Sequence, residues 1–183
     1  MRRGEKSPRS GHGLAESGVR QGPPSESGVL TGELAEFCQS GVSVVLASVG
    51  SDGRPVIGRG LACRIDTKGR MRVILREPPN RLFLVALAAG GPVAATFTRP
   101  STHRSIQLKA QSAAIALVEP PDGPAAHSQS GAFAAELAAC GYDATFAYGH
   151  CGFEPYELCA IEFLPASAFV QTPGPAAGSV LAP

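Results

Sequence analysis

Residues 42–66, VSVVLASVGSDGRPVIGRGLACRID, predict two β-strands joined by a tight turn. The first half is almost wholly apolar and rich in β-branched residues, which is typical of a strand buried on both faces. Asp52 and Gly53 follow, a pair that supplies the positive φ angles of a two-residue hairpin turn. Pro55 then opens a second strand, in which Arg59 interrupts an apolar face. These residues favour antiparallel β-structure.

The segments on either side of this hairpin alternate between short strands and short helices. Thr31 is a plausible N-cap for a helix that ends before Gly41, and Asn80 can cap another, RLFLVALAA. A third helix is predicted in SQSGAFAAELAACGY. Residues 142–156 show no regular pattern. Three further strands are predicted in MRVILRE, PVAATFT and ELCAIEFLP.

The stretch PSTHRSIQLKAQ, residues 100–111, predicts a strand with one polar and one apolar face. Gln107 and Lys109 lie on the polar face, and Ile106 and Leu108 on the other. Downstream, the apolar residues change from even to odd positions near 112–114. This change of parity predicts a β-bulge or a sharp bend, as barrels use at their corners.

Together these patterns predict a mainly β (α+β) domain. Tight turns join most of the strands, so the sheet should be antiparallel. Six strands with one bent member are best closed into a small barrel, with short helices at its ends and sides.

Composition limits the classes of function. The chain has 183 residues and a net charge of +1, so no basic surface favours nucleic acid as a partner. No apolar run reaches the ~18 residues of a membrane span. No secretory signal is recognisable, so we expect a cytoplasmic protein. The five cysteines form no metal-binding pattern, and we expect reduced thiols and no metal site.

The chain divides by composition into three parts. Residues 1–30 are rich in Gly, Ser, Pro and Arg, which predicts a disordered tail. Residues 31–170 carry all the predicted strands and helices and form the single domain. Residues 171–183 are a tail rich in Pro and Gly, which could fold over a pocket or over a partner subunit.

Two stretches of this sequence resemble the pyridoxamine 5'-phosphate oxidase-like family. VVLASVGSDGRPVIGRGLACRIDTKG is similar to the family's opening strand, D-G-x-P turn and Arg-bearing second strand, and HRSIQLKA is similar to its fifth-strand element. The resemblance covers residues 31–170. It implies a split β-barrel that binds FMN, a homodimer with flavins at the subunit interface, and oxidoreductase activity on a small molecule.

The resemblance also implies cofactor-binding residues. Arg59 would meet the flavin phosphate, while Arg104 and Gln107 would line the ring edge. A phosphate dianion needs cationic or amide donors, so other polar residues near the two elements are candidates as well. These are Arg76, Asn80, Arg81, Ser101, Thr102 and Lys109. No residue of the sequence is a clear catalytic acid or base.

Several alternatives remain open. The cluster before the second helix reads EPPNRL, in which Glu77 adds a negative charge near a phosphate site. This favours a barrel that binds another ligand, such as haem through His103, His127, His150 or the cysteines, or one that only dimerises. Arg59 could instead pair with Asp66 or Glu77, Asn80 could be only a helix cap, and the polar strand face could simply meet water.

Overall fold

The computed structural model describes Met1 and residues 29–181, and it contains one eight-stranded antiparallel sheet. The spatial order of the strands is β6-β7-β3-β2-β1-β4-β5-β8. Every named strand pair is antiparallel, as predicted. The strands are β1 (Ser43–Val49), β2 (Pro55–Ile65), β3 (Met71–Arg76), β4 (Val93–Thr98), β5 (Ser105–Ala110), β6 (Ala114–Ala116), β7 (Leu158–Phe163) and β8 (Ser167–Val170).

Four α-helices surround this sheet within the described part of the chain. They are α1 (Gly32–Cys38), α2 (Arg81–Ala88), α3 (Asp122–Ala139) and α4 (Ala144–Cys151). Short 3-10 segments precede α2 and β7. No helix among the described residues is long and apolar enough to cross a membrane.

The β1–β2 hairpin has the turn predicted from its sequence. Gly53 adopts a φ of 76°, and the Asp52 side chain accepts a hydrogen bond of 3.0 Å from the backbone N–H of Arg54. The register of the hairpin places Val45 opposite Arg59 and Ala47 opposite Ile57. The turn therefore fixes which side chains of the two strands share a face.

The segment between β5 and β6 closes the sheet into a barrel. β5 pairs with β4 and β8 at one end of the strand order, whereas β6 pairs with β7 at the opposite end. The two strands are separated only by residues 111–113, where the sequence predicts a bend. The predicted change of parity therefore marks the bend at which the chain leaves β5 and crosses to β6 at the other end of the strand order.

Two differences from the expected six strands have simple physical causes. The bend divides the predicted fifth strand into β5 and β6. The additional strand, β8, has four residues and shows no clear alternation, and it is held by pairing with β5. The mainly β (α+β) split-barrel prediction is confirmed, with eight strands instead of six.

The third helix begins earlier than predicted, at Asp122 within the segment PPDGPA. Proline is tolerated in the first turn of a helix, where the backbone N–H has no helical partner. The irregular stretch predicted after this helix also contains α4, whose N-cap Asp143 accepts a hydrogen bond of 2.7 Å from Phe146 N.

The two termini of the described region pack on the barrel. Residues 171–181 fold back along β8, where Leu181 N donates to Ala168 O at 2.8 Å and Thr172 N donates to Ser105 O at 3.0 Å. Of the predicted N-terminal tail, residues 2–28 lie outside the described residues, and Val29 and Leu30 pack against the core. The division into a domain and two tails stays a prediction.

Helices cover only one half of the outer face of the sheet. Residues of α3 and α4 form a small apolar cluster with the outer side chains of β2, β3 and β7. The outer face of β1, the first half of β2, β4 and β5 has no helix over it. On this uncovered face Val45 and Ile57 are 40% and 68% exposed.

A buried ion cluster attaches the start of α3 to the sheet. Asp122 is fully buried and accepts hydrogen bonds from Arg72 of β3, the closest of 2.7 Å from Nη2, and from Arg64 of β2 at 2.8 Å. Burial alone would raise the pKa of Asp122, but the hydrogen bonds from Arg72, from Glu119 N and from Arg64 together hold it below its ordinary value. The carboxylate is therefore charged at neutral pH.

We predict that Asp122→Asn lowers the free energy of unfolding by about 3 kcal/mol, because it leaves the buried guanidinium of Arg72 facing a neutral amide. The lowered pKa means that this contribution is present above about pH 3.8 and is lost as the pH falls further. Urea unfolding at pH 7 measures the loss. Exposed Glu36→Gln is the control and should change stability little; an equal effect of both variants would contradict the role of the cluster.

Candidate functional site

A cavity of about 440 Å³ lies where the start of β2, the end of β3 and the end of α4 meet. Its walls combine aliphatic side chains of the uncovered sheet face with cationic and amide groups. This volume lies in the usual range of ligand pockets. The lining residues include Val45, Ile57, Arg59, Arg76, Asn80 and His150.

Arg59 presents a guanidinium group to this cavity. Its side chain is exposed, and among the described residues no carboxylate forms an ion pair with it. The alternative partners Asp66 and Glu77 therefore do not neutralise it. The polar neighbour that it does have is His150, whose Nδ1 lies 3.4 Å from Arg59 Nη1. The group is free to bind an anion.

Arg76 is a second cation at the cavity wall. Its Nη2 donates to Glu157 at 3.1 Å, so its charge is already paired with a carboxylate. Its Nε is buried and has no hydrogen-bond partner in the described structure. A buried donor without an acceptor is costly.

Asn80 holds the cavity wall together and does not act as a helix cap. Its Oδ1 accepts from Arg59 N at 2.7 Å, and its Nδ2 donates to the carbonyl oxygens of Arg59 and Arg76 at 3.1 and 2.6 Å. It occupies the N-cap position of α2, but its side chain makes no capping hydrogen bond. Since these bonds occupy its amide, Asn80 positions Arg59 and Arg76 for any ligand.

Two other residues of the EPPNRL segment lie outside the cavity. Arg81 is exposed in the first turn of α2 and is not among the lining residues. Glu77 is also exposed and does not line the cavity; its backbone N–H donates to Glu157 O at 2.7 Å. The negative charge of Glu77 is therefore not part of the cavity wall.

Gln107 and Lys109 lie on the same uncovered sheet face as Arg59. The strand registers place Arg59, Val45, Thr96 and Gln107 in one row across β2, β1, β4 and β5. Three strand spacings separate the ends of this row, or about 14 Å. Gln107 Nε2 donates to Thr96 Oγ1 at 3.0 Å, which leaves its carbonyl oxygen free. Lys109 Nζ lies 4.5 Å from the centre of the Phe169 ring.

The remaining predicted site residues lie in or beside the β4–β5 turn and do not line the cavity. Arg104 pairs with Glu33 of α1 at 2.7 Å and lies 4.6 Å above the Phe37 ring. Ser101 contacts the Glu136 side chain of α3, and Thr102 Oγ1 accepts from Arg104 N at 3.3 Å. Each of these three side chains thus has a polar partner within the chain. The part of the three residues in binding a cofactor stays a prediction.

Several solved structures are similar to this chain, and the HupZ protein supports its architecture. The HupZ protein of Group A Streptococcus is 15% identical, covers 82% of this chain and 100% of its own, and gives a TM-score of 0.50. An FMN-binding protein from Nostoc punctiforme related to pyridoxamine 5'-phosphate oxidase is 13% identical over 83% of this chain and 89% of its own, at 0.44. An F420 reductase is 20% identical over 76% and 98%, at 0.46.

The chain is a split barrel. The resemblance to the pyridoxamine 5'-phosphate oxidase-like family drawn from the sequence is thereby confirmed at the level of the fold. No protein-family model matches the sequence, and no curated protein matches it. At 15% identity the similarity to the HupZ protein supports the fold alone, and the activity has to be argued from the site.

One cavity residue of the split barrel was missed by sequence reasoning as part of this site. The sequence offers His150 only as a possible haem ligand, because residues 142–156 show no regular pattern. The signal that could have found it is Asp143, an N-cap residue before a short helical stretch. Its meeting with Arg59, 91 residues away, depends on the packing of α3 and α4.

We predict that Asn80→Ala lowers the free energy of unfolding of the split barrel by about 2 kcal/mol, because buried backbone groups of β2 and β3 lose their partner. Urea unfolding followed by circular dichroism provides the measurement. The control is Ser128→Ala, an exposed position on α3. If Asn80→Ala were as stable as this control, the bridging role of Asn80 would be wrong.

Proposed function

We propose that the chain is an FMN-binding split-barrel protein that functions as a homodimeric oxidoreductase acting on a small molecule. The observation that carries the proposal is Arg59, a cation without a carboxylate partner in the described structure, at the wall of a cavity next to an uncovered apolar sheet face. The sequence resemblance implies the same residue for the flavin phosphate. A phosphate monoester is close to a dianion at neutral pH and needs such a group.

The residues present fit a flavin phosphate. Arg59 would bind the phosphate directly, and Arg76 adds a cationic side chain to the same wall, where it also pairs with Glu157. Asn80 keeps the backbones of both arginine residues in place. Nothing with a negative charge lines the cavity among the described residues. The arrangement thus has the charge that a phosphate dianion requires.

The uncovered sheet face fits the rest of such a cofactor. Gln107 lies on the Arg59 row with a free carbonyl oxygen and one free amide hydrogen, which suits the mixed donors and acceptors of a flavin edge. Val45, Ala47 and Ala94 form an apolar surface between the two polar ends. Bound FMN would supply hydride or electron transfer, and the protein residues would hold and orient it and exclude water.

A second copy of the chain is the proposed cover of this face. Val45, Val49 and Ile57 are exposed side by side on β1 and β2, and clustered exposed apolar side chains mark interaction surfaces. The cationic groups Arg59 and Lys109 lie on the same face and would repel their copies across a dimer. Bound phosphate would neutralise Arg59, so we expect flavin binding and dimerisation to support each other.

The proposal predicts that Arg59→Ala raises the Kd for FMN by about 10- to 100-fold, as expected for the loss of a charge-assisted hydrogen bond. Arg59→Lys should have a smaller effect, since it keeps the charge. Quenching of FMN fluorescence on titration with protein measures the Kd. The matched control is Lys68→Ala, in an exposed turn, and Arg104→Ala is measured beside it as the other arginine that the resemblance assigns to the cofactor.

Lys68→Ala should retain wild-type affinity, and Arg104→Ala should weaken binding if Arg104 lines the ring edge. Equal and small effects of all these variants would remove Arg59 from the site. A selective loss in Arg104→Ala would instead move the phosphate site to the β4–β5 turn.

For the dimer, we predict that Ile57→Lys produces a monomer, because it places a charge in the centre of the apolar face. Light scattering after size-exclusion chromatography should give twice the chain mass of 18.8 kDa for the unmodified protein and close to that mass for the variant. Leu117→Lys is the control, at a position that is 91% exposed near β6. A monomeric unmodified protein, or dimeric Ile57→Lys, would contradict this interface.

A further inference from the structure

His150 projects from the last turn of α4 into the same cavity and faces Arg59. Its Nδ1 lies 3.4 Å from Arg59 Nη1, within reach of a shared ligand. The helix that carries it begins at the N-cap Asp143 and ends at Cys151, whose buried side chain packs in the cluster under α3. The helix that carries the imidazole is therefore fixed at both ends, by the Asp143 cap and by buried Cys151.

Two aromatic rings restrict the imidazole from behind. Phe133 of α3 lies 5.4 Å away between ring centres, and Phe146, one turn earlier on α4, lies 6.1 Å away with its ring tilted by 22°. These neighbours offer no hydrogen bond to the ring nitrogens. The polar edge of the imidazole is thus directed to the cavity and to Arg59.

The charges that face His150 are positive or already compensated. Arg59 approaches from β2, and Arg76 lines the same cavity from β3 but pairs with Glu157. Tyr148 and Cys151 are its titratable neighbours along α4. Burial and then the charge of Arg59 lower the pKa of His150 below 6.5. The imidazole is therefore neutral at pH 7 while the cavity holds no anion.

We propose that His150 is a second, proton-dependent ligand for the anion that Arg59 binds. This proposal rests on the proposed function, because it assumes that the cavity takes a phosphate or a similar dianion. In the empty cavity neutral His150 can accept a hydrogen bond from Arg59 through Nδ1. An anion between the two side chains would offset the repulsion between Arg59 and the protonated form of His150. Protonated His150 then donates a hydrogen bond from Nδ1 to the anion, so binding of the anion and of the proton support each other.

The consequence is an anion site whose affinity increases as the pH falls through the range of a histidine. Arg59 alone would bind the anion with little dependence on pH, since a guanidinium stays charged. With His150, each unit by which the anion raises the pKa corresponds to a tenfold gain in affinity at low pH. The cavity would thereby distinguish dianions from uncharged ligands more strongly in mildly acidic conditions.

The test follows the His150 ring by NMR titration of the full chain with and without sulfate. Sulfate stays a dianion between about pH 5 and 8, so its own titration does not interfere. We expect sulfate to raise the titration midpoint of His150 by about one unit, and the Kd for sulfate to fall about threefold or more from pH 8 to pH 5.5. His150→Gln should bind sulfate with an affinity that does not depend on pH.

Two further variants make the assignment specific. Arg59→Ala should raise the titration midpoint of His150 in the absence of sulfate. It should also abolish the change in this midpoint when sulfate is added. His127→Gln, at an exposed histidine on α3, should leave both responses unchanged. A pH-dependent affinity that persists in His150→Gln would overturn the proposal.

Binding of FMN at pH 8, where His150 is neutral, separates this proposal from the function on which it rests. If FMN binds there through Arg59 while sulfate leaves the midpoint of His150 unchanged, the role of His150 is wrong and the proposed function stands. If neither FMN nor sulfate binds in a manner that depends on Arg59, the proposed function and this inference are both wrong.

Discussion

The bend at residues 111–113 is the constraint on which the rest of the structure depends. It lets one nearly continuous stretch of chain, β5 and β6, pair at both ends of the strand order. The sheet must then curve into a barrel with Ile106 and Leu108 inside and Gln107 outside. Because the period of a strand is two, this choice also fixes the outward face of every neighbouring strand. The row from Arg59 to Gln107 is a direct result.

The helices then decide which part of the outer surface becomes a site. The start of α3 is held on the sheet by Asp122 and Arg72, and α4 packs against α3 through a shared apolar cluster. Together they cover the outer side of β3, β7 and the end of β2. The cavity lies at the border of this cover, between the last turn of α4 and the uncovered half of β2. The helix pair α3 and α4 thus connects the buried ion cluster at Asp122 to the cavity at Arg59.

The sequence predicts the elements whose pattern is local. Asp52-Gly53 identifies the first hairpin, Thr31 caps α1, and the parity change after β5 identifies the bend. The placement of Arg59 on an outer strand face also follows from alternation and is found in the structure. In contrast, β8 depends on pairing with a strand about 60 positions earlier, and its sequence shows no alternation.

Tertiary packing explains the other differences. Asn80 looks like a helix cap, but the approach of β2 and β3 provides partners that satisfy its amide completely. The contacts of Arg104 with Glu33 and Phe37 come from α1, about 70 positions earlier, and have no local signal in the sequence. His150 has no local pattern that would place it opposite Arg59. Contacts of this kind depend on the packing of the whole barrel and not on any one segment of the sequence.

The central claim is that the cavity at Arg59 takes the phosphate of a flavin. The most direct measurement is the absorption spectrum of the purified full chain after incubation with FMN and removal of the excess by gel filtration. The account predicts flavin bands at one cofactor per subunit. A folded protein that retains no flavin at micromolar concentration would contradict it, and a haem Soret band in the same spectrum would favour the alternative ligand.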